Sequence, residues 1–157
     1  MSEAISCQYD SKLAIIMRGL PGSGKSYWVE QFIQSQPLPL ATRIKQYGYY
    51  STDNLFFIDG EYRFDVNKLS QNHQLNLSLF IEALARAEPV VICDNTNVCH
   101  WEYLAYKTAA VALGYQVKVV LVGDPKSAAH QVICSQRNKH HVPLKQIQRM
   151  ANLFEID

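Results

Sequence analysis

LAIIMRGLPGSGKSYWVEQFI, residues 13–33, is the stretch on which the fold turns. It opens with LAIIM, an unbroken apolar run of the kind that forms a strand covered on both faces. It closes with SYWVEQFI, which puts Trp28, Val29, Phe32 and Ile33 on one face of a helix. Between them GLPGSGKS fits the spacing G-x-x-x-x-G-K-[ST] at every fixed position: Gly19, Gly24, Lys25 and Ser26. Glycines let the backbone turn until several N–H groups face one concavity, and the helix that starts near Lys25 adds the positive end of its dipole. Such a loop cradles phosphates. Lys25 brings a charge to the β- and γ-phosphates of ATP, and the Ser26 hydroxyl is a ligand for Mg²⁺. Gly19, Leu20, Pro21, Gly22, Ser23, Gly24, Lys25, Ser26 and Tyr27 are therefore the candidate nucleotide contacts.

Outward from this loop, strand and helix alternate. Pro37 and Pro39 are expected to end the first helical region, and QYGYYS (46–51) to form a second strand. FFIDGEYRF (56–64) carries Asp59-Gly60 between apolar flanks, a hairpin signal. A helix is expected over residues 66–87, with Leu69, His73, Leu77, Phe80 and Leu84 on one stripe, followed by the buried strand PVVICD (89–94). Trp101, Leu104, Thr108 and Val111 mark the apolar face of another helix, closed by Gly114. QVKVVLVG (116–123) is the last strand. Two helices follow, the second starting at Pro143 and showing Leu144, Ile147, Met150 and Phe154 at helical spacing. The expected fold is α/β, of the P-loop NTPase kinase type: a parallel sheet of four to five strands, helices on both faces and a small lid. Residues 1–157 form one domain in this reading.

The composition agrees. Apolar residues make up 48% and charged residues 18%, the balance of a globular protein rather than a disordered tail or a membrane span. MSEAISCQYD lacks a basic and then apolar leader, so the cytoplasm is the expected compartment. Cys7, Cys93, Cys99 and Cys134 show no Cys-x-x-Cys spacing and read as reduced thiols. The net charge is +1, but it is uneven. Lys126, Arg137, Lys139, Lys145 and Arg149 cluster late, beside His130, His140 and His141, whereas Asp53, Asp59, Glu61 and Asp65 cluster early with Arg63. One end can meet phosphates and the other a hydroxyl or a metal; the alternative is two solvated faces.

Ligands of such sheets sit beyond the carboxyl ends of the strands. That rule selects two acids. Asp94 ends V-V-I-C-D and is the second candidate Mg²⁺ ligand beside Ser26, or a helix N-cap, or both. Asp53, in S-T-D-N, stands where an acceptor would enter and can take the proton of an attacking hydroxyl; it too is open to a capping role. His73 reads as a packed or hydrogen-bonded core histidine, with an acceptor contact as the alternative, Trp28 and Trp101 as core residues rather than base-stacking platforms, and His140 and His141 as either phosphate contacts or solvated side chains.

With these residues in hand, the chain resembles the P-loop polynucleotide 5′-hydroxyl kinases, the group of the phage polynucleotide kinase domain and related ATP-binding kinases. The resemblance runs over about residues 13–155 and rests on GLPGSGKS, S-T-D-N (51–54), Y-R-F-D (62–65), D-N-T-N (94–97) and C-S-Q-R-N-K-H-H-V-P (134–143). It implies that Asp53 is the general base, that Arg137 is a catalytic lid residue over ATP, and that Asn95, Thr96 and Asn97 line the acceptor side. The implied acceptor is the 5′-hydroxyl of a nucleic acid or nucleotide. The rival acceptor is a small-molecule hydroxyl, and a third reading is an ATP-binding switch that transfers nothing. This chain departs from the group at Asn54, which replaces a second carboxylate, and near His141, which replaces a second lid arginine. Phe56 replaces an acceptor-side arginine. Either another cation such as Arg63 takes that place, or the acceptor is not a polynucleotide.

Overall fold

The computed structural model describes residues 11–156. Cys7 and the leader expectation lie outside the described residues. Four parallel strands make the main sheet: β1 (Leu13–Arg18), β2 (Tyr49–Tyr50), β5 (Val90–Asp94) and β6 (Gln116–Leu121), in the order β2-β5-β1-β6. A two-residue antiparallel pair, β3 (Phe57–Ile58) and β4 (Glu61–Tyr62), forms the hairpin on the Asp59-Gly60 turn. Six α-helices complete the described chain: α1 (Lys25–Gln34), α2 (Leu38–Tyr47), α3 (Leu69–Ala85), α4 (His100–Ala112), α5 (Ala128–Arg137) and α6 (Leu144–Leu153).

The apolar run of β1 is continuous because both faces are covered. Ala14 and Ile16 pack with Phe80, Leu84, Tyr103 and Tyr106 of α3 and α4. Ile15 and Met17 point the other way and pack with Val29, Ile33 and Ile44 of α1 and α2. Each fully buried aliphatic side chain here contributes roughly 1.5–3 kcal/mol. A third cluster, Leu20 with Val98, Cys134, Ile147, Ala151 and Phe154, fixes α6 beneath the glycine-rich loop. The register pairs Met17 with Asp94, so the end of β5 lies level with the start of that loop. No helix among the described residues is long and apolar enough to cross a membrane.

Three expectations need correction. First, α1 does end before Pro37 and Pro39, at Gln34, but these prolines also open a helix that the sequence reading lacks, α2, which supplies buried Leu40, Ala41 and Ile44. A proline in a first turn removes only an N–H that had no partner. Gln46 and Tyr47 belong to this helix, which shortens β2 to two residues. Second, α4 buries Tyr103, Tyr106 and Ala110, while Trp101, Leu104 and Val111 are exposed, Trp101 to 75%. The buried Tyr106 keeps its polar end satisfied: its hydroxyl accepts from Asn76 Nδ2 at 2.9 Å. Third, α3 faces inward with Asn72, Asn76, Phe80, Ala83 and Leu84, and His73 is exposed rather than packed in the core. Leu69 and Leu77 are only partly buried.

Arg18, the last residue of β1, is a buried cation that pattern reading does not flag. It is 3% exposed. Its guanidinium donates to the carbonyls of Asn97 (2.9 Å), Val98 (3.0 Å) and Glu155 (2.7 Å). It also lies against the rings of Tyr103 and Phe154, each centroid 4.9 Å away. Three carbonyls and two aromatic faces offset the desolvation of one charge.

Candidate active site

The loop after β1 curls against α5. A Cβ on Gly22 would stand 2.5 Å from the Cys134 carbonyl oxygen, and Gly22 has φ +81°, so only glycine fits. Gly24 opens α1 in a left-handed conformation. Inside this curl the Ser23 hydroxyl is buried without a hydrogen-bond partner. Lys25 Nζ donates to the Leu20 carbonyl at 3.1 Å. Burial pulls the Lys25 pKa down, and the nearby carboxylates of Asp94 and Asp53 oppose that fall. A desolvated ammonium and an orphaned hydroxyl in a cradle of backbone N–H groups suit a polyphosphate.

Ser26 Oγ donates to Asp94 Oδ2 at 3.0 Å, bringing the two candidate Mg²⁺ ligands together from α1 and β5. The Tyr49 hydroxyl donates to the same carboxylate oxygen. Burial first, then the Asp94 charge, push the Tyr49 phenol pKa far above its usual value, so it stays a donor. Asp94 is 5% exposed and does not cap α4, whose N-cap is Cys99. One hydroxyl and one carboxylate fit a hard octahedral cation that takes its other ligands from phosphates and water. Among the described residues no three His, Cys, Asp or Glu side chains gather into a metal cluster.

The expected acceptor side follows β2. Asp53 lies in a 3₁₀ turn, Thr52–Phe56, whose N-cap position is Ser51; its side chain is 59% exposed. The Thr52 N–H donates to Asn95 Oδ1 at 3.0 Å, tying this turn to the end of β5. Thr52 Oγ1 lies 3.1 Å from His73 Nδ1. Across from them comes residue 137 and the loop that follows it. Arg137 NH2 donates to the Gly22 carbonyl at 3.1 Å, on the phosphate loop. His140 Nε2 is 3.6 Å from Asp53 Oδ2, and its ring stacks on Tyr62 with centroids 4.0 Å apart.

These groups line one cleft of about 1290 Å³. A single small-ligand pocket holds about 300–1,000 Å³, so there is room for a donor and an acceptor together. Of the sequence-selected residues, Pro21 through Tyr27, Asp53, Asp94, Asn95, Thr96 and Arg137 line it. Three do not. Gly19 is the entry of the loop, its N–H donating to the Thr96 carbonyl at 3.0 Å. The Leu20 side chain is fully buried in the cluster under α6. Asn97 turns inward with φ +48°, and its Nδ2 donates to the Met17 carbonyl at 2.8 Å, which removes it from the acceptor side. Arg63 pairs with Glu61 at 2.9 Å on the hairpin and is not among the residues that line the cleft. Sequence reading missed the Tyr49–Asp94 bond and the Tyr62 stack, both of which join residues far apart in the chain. It also missed Asn138, whose amide donates to the carbonyls of Cys134, Ser135 and Val142 and accepts from the Val142 N–H at 2.7 Å. Those bonds fix the turn between α5 and α6.

The sequence model of the AAA domain family matches residues 15–156. Human NEDD4-binding protein 2 is 32% identical over 150 residues, which is 94% of this chain and 8% of that protein. The chain thus spans a small fraction of that relative's length. Among solved structures, a gluconokinase from Sinorhizobium meliloti 1021 superposes with a TM-score of 0.56 at 18% identity, covering 94% of this chain and 77% of that one. A chain of the Pnkp1/Rnl/Hen1 complex superposes with a TM-score of 0.55 at 17% identity, covering 74% of this chain and 37% of that one. At such identities the likeness is one of fold, and the fold is that of the P-loop kinases.

Proposed function

Since this chain belongs to the AAA domain family and has a P-loop kinase fold, we propose that it is an ATP-dependent kinase that transfers the γ-phosphate to a hydroxyl, the 5′-hydroxyl of a polynucleotide or nucleotide. The observation that carries this reading is the convergence on one cleft of a phosphate cradle, a Ser26–Asp94 pair and an exposed carboxylate, Asp53, on the opposite wall. A switch that only binds ATP has no use for that carboxylate.

In this mechanism the acceptor oxygen attacks the γ-phosphorus, the bond from phosphorus to the β–γ bridging oxygen breaks, and ADP leaves. Asp53 takes the hydroxyl proton as the new P–O bond forms. Lys25 and Arg137 meet the charge that spreads over the transferring group. Ser26 and Asp94 would hold Mg²⁺, which would supply positive charge to the phosphates. Little covalent chemistry is left to the protein, which orients the two substrates and fixes the charges around them.

A second reading keeps the chemistry and changes the acceptor to a small-molecule hydroxyl. It is favoured by the acceptor wall, where Phe56 is buried and Arg63 is engaged elsewhere, so no arginine waits there for a polynucleotide phosphate. Incubation with γ-labelled ATP, Mg²⁺, 5′-hydroxyl oligonucleotides and a set of small hydroxyl compounds tests both. Label on the oligonucleotide 5′ end supports the first reading and label only on a small compound the second. ATP binding without transfer to any of them would count against a kinase.

A further inference from the structure

We propose that His140 is a positioning residue for the acceptor reaction, the clasp through which the turn between α5 and α6 holds Asp53 in place. The inference rests on the reading of Asp53 as the base. Asp53 by itself is poorly constrained. Its side chain is 59% exposed, it sits in a short 3₁₀ turn, and that turn shows no side-chain cap bond. A base that must meet a hydroxyl within hydrogen-bond reach needs an orienting partner. His140 lies close to it, with Nε2 at 3.6 Å from Oδ2.

His140 is itself held from two sides. Its ring stacks on Tyr62 of β4 at an interplanar angle of 21°. Its backbone belongs to the turn that Asn138 knots with four hydrogen bonds, and the next residue, His141, adopts φ +56°. The same turn follows directly on Arg137, which reaches the Gly22 carbonyl. One short segment therefore touches the phosphate loop with one side chain and the acceptor carboxylate with another. Donor and acceptor walls are set relative to each other through residues 137–140. Tyr62 also feels this arrangement: burial, then the Asp53 charge, raise its pKa.

The test separates orientation from direct phosphate contact. His140→Phe keeps a ring on Tyr62 and removes the contact to Asp53; His140→Gln restores a side-chain N–H. The probe is a 5′-hydroxyl oligodeoxynucleotide phosphorylated from γ-labelled ATP, with ATP affinity read by a fluorescent analogue. We expect His140→Phe to lower kcat by about tenfold, because a misplaced reacting group loses rate out of proportion to its displacement. ATP affinity should stay within about twofold, and His140→Gln should recover most of the rate. In the Asp53→Asn background, His140→Phe should cost nothing further, since a residue that acts through another loses its effect when the other is gone. A full tenfold loss in that background would overturn the proposal and make His140 an independent contact. So would wild-type rates for His140→Phe beside a slow Asp53→Asn. Asp53→Asn at wild-type speed, or no label on the oligonucleotide, would instead sink the base or acceptor reading itself. Independently of turnover, the His140 ring protons should be shifted upfield by Tyr62 and should move in Asp53→Asn. Ring shifts like those of the solvated His141 would refute the clasp.

Discussion

The two walls of the cleft are built in opposite ways. The phosphate loop of the donor wall is one continuous segment, Gly19 to Ser26, shaped by glycines: a side chain at Gly19 or Gly22 would collide, and Gly24 holds a left-handed φ of +106°. The acceptor wall is assembled from residues 52–53, 62, 73, 95 and 140, five separate pieces of chain joined by side-chain contacts. Backbone geometry encoded within eight residues is rigid and recognisable. A surface made from distant side chains can change residue by residue while the donor wall stays as it is. On the proposed reading, the same phosphate chemistry would serve different acceptors, and specificity would lie in the dispersed wall.

Substitutions on the two walls should therefore fail in different ways. The largest loss is expected from Lys25→Ala on the donor wall: transfer should fall by at least about 10³-fold and ATP binding should weaken with it, because on the proposed reading the Lys25 ammonium would meet the phosphates in ground and transition states alike. A variant with normal turnover would break the comparison at its root. Asp53→Asn on the acceptor wall should cost on the order of 10²- to 10⁴-fold in transfer with ATP affinity retained. Equal loss of ATP binding would show that the walls are not separable. Arg137→Ala should lower kcat by about 10²-fold, more than it weakens ATP binding, since its charge matters most as the phosphoryl group moves; stopped-flow binding beside steady-state rates would expose a plain nucleotide contact. Asp94→Asn should raise the Mg²⁺ needed for half-maximal rate by about tenfold. Tyr49→Phe, which removes a donor from the same carboxylate, should shift that titration by only a few-fold, read equally from Mn²⁺ binding in the absence of turnover.

The asymmetry also explains what could be read in the sequence. GLPGSGKS, the strands around Ile15 and Ile92 and the Asp59-Gly60 hairpin follow from local periodicity and turn chemistry, and the structure has them. The α2 helix was hidden because proline in a first turn looks the same in sequence as proline after a last one. The buried face of α4 was misjudged because Trp101 and Leu104 outrank tyrosine in hydrophobicity, whereas Tyr103 and Tyr106 found polar partners that only the tertiary fold supplies. Asn97 sits in a D-N-T-N run in which every side chain looks available, yet its left-handed backbone sends it inward to Met17. Neither the stack of His140 on Tyr62 nor its approach to Asp53 has a local signature, because the partners lie 78 and 87 positions away along the chain.

The buried Arg18 has a consequence for how the molecule opens. Its guanidinium fastens the end of β1, the segment at 97–98 and the backbone of residue 155 into one knot. None of the three can come loose without leaving a bare cation among Tyr103 and Phe154, so they must open as one cooperative unit. Amide deuterium uptake at the root of the phosphate loop should be as slow as in the centre of the sheet, and residues 154–155 should share that slowness instead of fraying. Lysine cannot replace the arginine here, since a single ammonium neither spans three carbonyls nor lies flat between two rings. With lysine in place, the end of α6 would exchange within the time of local breathing and the phosphate loop would lose its fixed floor.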